Sequence, residues 1–247
     1  MKTIAFYNLK GGVGKTAAAV NIAYLSAQSG LKTLLWDLDP QGSTSWYFEH
    51  KPRSSFKFSK LVQKKSPVGK IIEHTSIDKL DIIPADLSIR HADVHLQRHG
   101  EDKTVSDWLK PLSEEYAMVV IDCAPNISRL SESIFDAVDA MYIPLIPTHL
   151  SMQTFEKIIE FFKDHDMKQK KLRPFFSMVD RRKSLHREFC QNPPVKLKKV
   201  LSGYIPYAAD IERMGTAKAP IGAFAPRSVG AIAYNEMWRE IKGQLKL

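Results

Sequence analysis

Cysteine is scarce in this chain: two among 247 residues, Cys123 and Cys190, in unrelated contexts and with no C-x-x-C pair. A disulfide framework is thereby excluded, and a reducing cytoplasm is the simplest expected setting. Long apolar runs are missing too. The run at 3–7 follows one early lysine and gives way to a glycine loop, too short for a signal-peptide core. The runs near 117–121 and 140–147 fall well below the ~20 residues that cross a bilayer. No repeat or low-complexity tract appears, and the Gly, Pro and charged contents are ordinary, which argues against wholesale disorder.

What remains is enough for a full core. Hydrophobic residues make up 44% of the chain, and the length suits one α/β domain over residues 1–247. The net charge of +9 is unevenly placed: residues 163–199 hold 12 Lys/Arg against 4 Asp/Glu. Such a local excess suits an anionic partner such as nucleic acid, and equally a solvated lysine-rich loop.

Short β-branched runs at 3–7, 33–37, 80–84, 117–122, 141–145 and 174–179 are nearly continuous in apolar residues, as in strands buried on both faces. Helical patterns alternate with them at 15–29, 87–99, 105–115, 151–165 and 229–245. This rhythm predicts an α/β fold, a mainly parallel twisted sheet flanked by helices on both faces. The polar segments 41–59 and 180–194 read as the loops most apt to move.

The chemistry is concentrated after the first strand, in Gly11-Gly12-Val13-Gly14-Lys15-Thr16. Against G-x-x-x-x-G-K-[ST], Gly14, Lys15 and Thr16 fit, while Leu9 holds the first glycine position. Glycines let backbone N–H groups turn onto phosphate oxygens with no Cβ in the way. Lys15 is then placed for the β/γ-phosphates, Thr16 for Mg2+, and the helix beginning there adds its N-terminal dipole. Further along, the four apolar residues 118–121 end in Asp122, a carboxylate at the C-terminal edge of a buried strand, where α/β sheets bind ligands. Asp122 is expected to hold magnesium through water.

Lys10 followed by Gly11 to Thr16 resembles the deviant Walker A motif of the ParA/MinD family of partitioning and positioning ATPases, on the three-layer P-loop NTPase fold. The resemblance runs from Lys2 to about Trp238, with its strong motifs in the first half. It implies ATP and Mg2+ as cofactors and a nucleotide-sandwich homodimer, in which Lys10 crosses to the partner's phosphates like an arginine finger in trans. Asp37-Leu38-Asp39-Pro40-Gln41 resembles the family's D-x-D-P-Q segment, implying that Asp39 positions the attacking water and Asp37 supports the metal site; a strand-end Asp37 can also simply cap the next element. Cys123-Ala124-Pro125 resembles the D-x-P-P switch segment, with Cys123 a packing residue. Met178-Val179-Asp180 and Ile205-Pro206-Tyr207 resemble segments that flank adenine, weaker signals than the phosphate motifs. Ala17 departs from the pattern: the family often carries a second hydroxyl there, and its loss removes a contact to the α-phosphate.

Within the family, the ParA-type reading implies non-specific DNA binding by an ATP-bound dimer, nucleoid association, and release when a ParB-like partner stimulates hydrolysis. Arg213, Lys198, Lys199, Lys218, Arg227 and Arg239 are the candidate DNA contacts; phosphate contact demands only charge and reach, so no spacing identifies them. With the first strand at 3–7, no N-terminal helix-turn-helix is expected. The MinD-like alternative needs an amphipathic C-terminal anchor. Tyr234, Met237, Trp238, Ile241 and Leu245 form a helical apolar stripe flanked by Arg239, Lys242 and Lys246, but such stripes more often pack on a core, so no stable membrane association is expected. A third class, amide-forming synthetases such as cobyrinic acid a,c-diamide synthase, shares the ATPase fold. Those enzymes carry a second, glutamine-hydrolysing domain for which this chain reads as too short, and neither cysteine sits in a nucleophile elbow. Nor does either suit the cluster positions of a nitrogenase iron protein.

Overall fold

Strand alternation divides the apolar residues between two cores, one on each face of a single sheet. In the computed structural model, which describes residues 1–50, 58–63, 65–99 and 104–247, the strands are β1 (Lys2–Phe6), β2 (Thr33–Leu38), β3 (Glu73–His74), β4 (Leu80–Ile83), β5 (Met118–Cys123), β6 (Ala140–Leu145), β7 (Leu172–Val179) and β8 (Tyr204–Pro206). They lie in the order β3-β4-β2-β5-β1-β6-β7-β8, all parallel to their neighbours except β3 against β4. Ile4, Phe6, Leu35, Met118, Val120 and Tyr142 face one core, while Ala5, Tyr7, Leu34, Trp36, Val119 and Ile121 face the other. Both faces are covered, which is why these strands read as unbroken apolar runs.

The helices are α1 (Lys15–Gln28), α2 (Ser43–Tyr47), α3 (Phe58–Val62), α4 (Ala92–His99), α5 (Thr104–Leu109), α6 (Arg129–Ala137), α7 (His149–Asp164), α8 (Ser184–Gln191), α9 (Ala209–Glu212), α10 (Met214–Ala217), α11 (Ile221–Phe224) and α12 (Val229–Leu245). Helix α1 lies between the sheet and α12, and its alanines Ala18, Ala19, Ala23 and Ala27 are all buried. A helix covered on both sides needs no polar face, and small side chains let it sit close to the strands. On α12, Tyr234, Met237, Trp238, Ile241 and Leu245 are all buried, packed toward α1 and β8. Turning that stripe out to water would expose five large side chains, at a cost of roughly 10 kcal/mol, so it serves as the packing face of α12 in this fold.

The expected strands and helices all form, with ends shifted by a residue or a few. The expected helix 87–99 begins as 3-10 turns over Leu87–His91, and the 105–115 pattern ends in 3-10 turns at Lys110–Leu112, where Pro111 occupies the first turn. The segment expected to move at 180–194 instead carries α8, which buries His186 and Phe189. In segment 41–59, α2 forms at once after Gly42, and residues 51–57 lie outside the described residues. Among the described residues no helix is long and apolar enough to cross a membrane.

Candidate nucleotide site

The parallel strands β1, β2 and β5 deliver their C-terminal ends side by side, so the loops after them share one crevice. After β1, buried Asn8 pins the loop: its amide donates to the Pro144 carbonyl (2.7 Å) and its Oδ1 accepts the Lys10 N–H (2.9 Å). Gly12 and Gly14 adopt φ of 69° and 91°, left-handed values that a side chain strains to reach. A Cβ on Gly14 would stand 2.7 Å from Ser177 Oγ, whereas Gly11 and Gly12 face open space. Helix α1 starts directly after Gly14, its first N–H groups turned toward the loop.

Inside this loop Lys15 is buried, and its Nζ donates to the Lys10 carbonyl at 2.9 Å. Burial lowers its pKa, against upward pulls from Asp122 and Asp39. Thr16 Oγ1 donates to Asp122 Oδ2 (2.8 Å), and Thr44 Oγ1 donates to the same oxygen (2.7 Å). The other oxygen, Asp122 Oδ1, is buried with no partner among the described residues. A completely buried carboxylate with one orphaned oxygen is costly, and burial duly raises its pKa. Thr16, which lines the cavity, and Asp122 behind it, joined through Oδ2, are hard oxygen donors of the kind that would hold a divalent cation together with waters and phosphate oxygens. Among the described residues no group of three or more His, Cys, Asp or Glu could hold a metal by itself.

Asp37 sits opposite Asp122 in the β2–β5 register, fully buried. Its pKa is raised by burial first and by Asp122 second. Both its oxygens are engaged: Oδ2 accepts the Ser45 N–H (2.8 Å) and hydroxyl (2.7 Å), and Oδ1 accepts the Asp39 N–H (3.2 Å). Of the two expectations for Asp37, support of the metal site and capping of the next element, these bonds are the contacts of the second. Asp37 anchors the 39–45 segment, and through it the Asp39 side chain, whose Oδ1 accepts the Gln41 N–H (2.9 Å) and which lines the cavity.

The cavity has a volume of about 710 Å³ and joins the glycine loop, Thr16, Ala17 and Asp39 to Met178, Pro206 and Tyr207 on the far wall. The weak adenine-side expectations for these three are thus brought to the phosphate loop. Asp180 is not: its carboxylate is gripped by Arg182 through two bonds of 2.9 Å, which hold its pKa down to about 2, and it does not line the cavity. Lys10 is also outside the lining; its Nζ donates to the Leu150 carbonyl (3.1 Å) at the start of α7. Val13 is buried in the loop. Sequence reasoning missed Thr44, Ser45, Tyr47 and Ser177; the run of hydroxyls after Asp39-Pro40-Gln41-Gly42 was the available signal for the first two.

The DNA-contact candidates are all exposed but fall into separate places. Arg213, Lys218 and Arg227 surround α10 and α11, Arg239 is on α12, and Lys198 and Lys199 lie beside α7 in a second cavity that also includes Lys170. Lys218 is paired with Glu49 (2.6 Å) and sits over the Trp46 ring, while Arg213 reaches Asp210 (3.4 Å).

A buried P-loop lysine, a hydroxyl joined to a strand-end carboxylate, and a cavity reaching three parallel strands define a P-loop nucleotide-binding protein. The chain belongs to the family described as AAA domain, whose model matches residues 1–174. It is similar, at 27% identity over 97% of its length and 96% of the relative's, to the chromosome-partitioning ATPase Soj of Treponema pallidum. In fold it matches a plasmid partition protein of Borrelia burgdorferi solved with AMPPNP (TM-score 0.85, 20% identity, 98% and 99% of the two chains). It equally matches cobyrinic acid a,c-diamide synthase of Mycobacterium smegmatis solved with ADP and magnesium (TM-score 0.83, 22% identity, 100% and 96%). The last match corrects the length argument made from sequence: a chain of that description is nearly coextensive with this one, so size does not separate the two classes.

Proposed function

We propose that this chain is an ATP-hydrolysing partitioning or positioning ATPase of the ParA type, which closes as an ATP-sandwich dimer and binds DNA without sequence preference. The observation that carries this reading is the single cavity in which Lys15, Thr16, Asp39 and Met178 meet, with Lys10 turned out of it. The nucleotide's phosphates lie on the Gly11–Thr16 backbone and Lys15, and its base lies toward Met178, Pro206 and Tyr207. Thr16 and Asp122 hold magnesium, which supplies charge neutralisation for phosphoryl transfer. Asp39, held by the Asp37–Ser45 anchor, orients a water for attack on the γ-phosphate. Lys10, half-buried and turned out of the cavity toward Leu150, completes the site of a second protomer and stabilises transition-state charge there. The basic residues Arg213, Lys218, Arg227, Arg239, Lys198 and Lys199 then meet DNA phosphates, and a ParB-like partner ends the cycle by accelerating hydrolysis.

The partitioning reading is favoured over the synthetase because the sequence relatives matched over nearly their whole length include the chromosome-partitioning ATPase Soj. Neither cysteine offers a nucleophile: Cys123 is buried with its thiol pKa pushed well up, and Cys190 is half-buried on α8. The test is sedimentation and gel shift with random-sequence duplex, each with ATP, ADP and no nucleotide. An ATP-specific dimer that alone shifts DNA is the expected result. Absence of any ATP-dependent assembly or DNA shift would overturn the proposal, and liposome co-sedimentation instead would favour a membrane positioner.

A further inference from the structure

Strand β7 loses its alternation at the point where it meets the nucleotide cavity. Phe176 pairs with Tyr204 and Val179 with Pro206, so β7 spends two residues, Ser177 and Met178, where β8 spends one. Phe176 and Val179 consequently face the same core although they are three apart, a spacing that regular pleating would send to opposite faces. The irregularity is a bulge, and it is held at a cost: Met178 adopts φ of 55°, a left-handed value uncommon for a side chain of its size. The result is that two consecutive residues, Ser177 and Met178, both line the nucleotide cavity.

Ser177 has no other employment. It is 2% exposed, it lies against Gly14 so closely that any side chain there would collide with its Oγ, and its hydroxyl has no hydrogen-bond partner among the described residues. Though the residue is buried, its hydroxyl opens on the cavity it lines, where a ligand oxygen can take the place of water. Ala17 lines the same cavity with a methyl group and offers no side-chain donor.

We propose that Ser177 is a nucleotide-contacting residue, its hydroxyl donating to a phosphate oxygen on the Gly14 side of the cavity and substituting for the donor that Ala17 lacks. This rests on the reading of the cavity as a nucleotide site. The bulge is the device that delivers the hydroxyl, since a regular β7 would turn one of the two residues away. A donor to an ionised phosphate belongs to the stronger class of hydrogen bonds, and the preference is for nucleotides over nucleosides.

The experiment is calorimetric titration of the full chain with ADP and with adenosine, on wild type, Ser177→Ala, Ser177→Thr and the double variant Ser177→Ala with Ala17→Thr. Ser177→Ala should weaken ADP by about tenfold, as expected for loss of a hydrogen bond to a charged group, and leave adenosine unchanged. Ser177→Thr should keep wild-type affinity, and the double variant should recover most of the loss. If Ser177→Ala disturbs β7 by circular dichroism, Ser177→Cys, which keeps the shape without the strong donor, must show the same selective loss. Equal ADP affinity in wild type and Ser177→Ala overturns the Ser177 assignment while leaving the nucleotide site standing. Failure of wild type to bind ADP at all overturns the underlying reading as well.

Discussion

Lys15 Nζ donates to the backbone carbonyl of Lys10 at 2.9 Å, while the Lys10 side chain leaves in the other direction, to Leu150. Two lysines five residues apart on one loop therefore point into different spaces: Lys15 lines the cavity and Lys10 does not. Lys15→Ala should abolish ATP binding, because the phosphates lose the buried cation held over the loop. Lys10→Ala should leave ATP binding by the monomer within a fewfold of wild type and instead lose ATP-driven dimerisation and most hydrolysis. Nucleotide titration paired with analytical ultracentrifugation separates the two. Equal dimer fractions for wild type and Lys10→Ala would remove the role in trans.

Asp39 is presented by a carboxylate that never reaches the cavity, since Asp37 holds both Ser45 and the Asp39 backbone. Asp39→Ala should retain ATP, accumulate the dimer and slow turnover by roughly 10² or more, the scale of a lost proton-handling or water-positioning group. Asp37→Ala should behave differently: it releases the 39–45 segment, lowers thermal stability and reduces turnover together. Parallel thermal melts and phosphate-release rates check this; a fully active, less stable Asp37→Ala protein would mean the anchor does not position Asp39.

The glycine loop, the Thr16–Asp122 pair and the six central strands were legible because each is local or periodic. A P-loop places its lysine and hydroxyl through one turn, and strands buried on both faces announce themselves as apolar runs. Three things were not legible. The division of labour between Asp37 and Asp39 depends on Ser45, eight residues beyond Asp37, folding back into hydrogen-bond range, which no spacing reports. The second was α8: its sequence 184–191 is polar enough to read as loop, and only the packing of His186 and Phe189 beneath it makes it a helix. The edge strands β3 and β8, two and three residues long, are too short to carry a period.

The orphaned oxygen of Asp122 makes the nucleotide-free protein sensitive to pH in a definite direction. Burial raises the Asp122 pKa above the ordinary carboxylate value of about 3.9, so folding favours its protonated form. The stability this group contributes is complete below about pH 4 and is lost as pH rises through its folded pKa of about 6. Asp122→Asn, which cannot ionise, should therefore raise the melting temperature of the nucleotide-free chain, by about 2–4 °C for each kcal/mol recovered, with the advantage growing from about pH 4 to about pH 7 and level above that. The same variant should lose the further stabilisation that magnesium with ATP gives wild type. Melting curves across that pH range, with and without the nucleotide, test both halves, and a constant difference between variant and wild type would contradict the raised pKa.

The proposed DNA-binding surface is tested through salt. Each DNA phosphate neutralised contributes a slope of roughly 0.9 in the log–log dependence of affinity on salt, whatever the sequence bound. Among the candidates, Arg227 is exposed just ahead of α12, whereas Lys218 is tied to Glu49 by a 2.6 Å ion pair and rests over Trp46. A lysine already paired releases less when it meets a phosphate, so Lys218→Ala should cost less than Arg227→Ala. Glu49→Ala should strengthen binding by freeing that ammonium. Lys198 and Lys199 sit by α7, away from the α10–α11 group, and reversal of both charges decides whether that side takes part. Gel shifts with ATP at several salt concentrations give the slope for each variant, and ATP affinity should stay unchanged throughout. If Arg227→Ala and the Lys198/Lys199 reversal leave affinity and slope as in wild type, DNA does not contact these residues and the basic surface is only a solvated one.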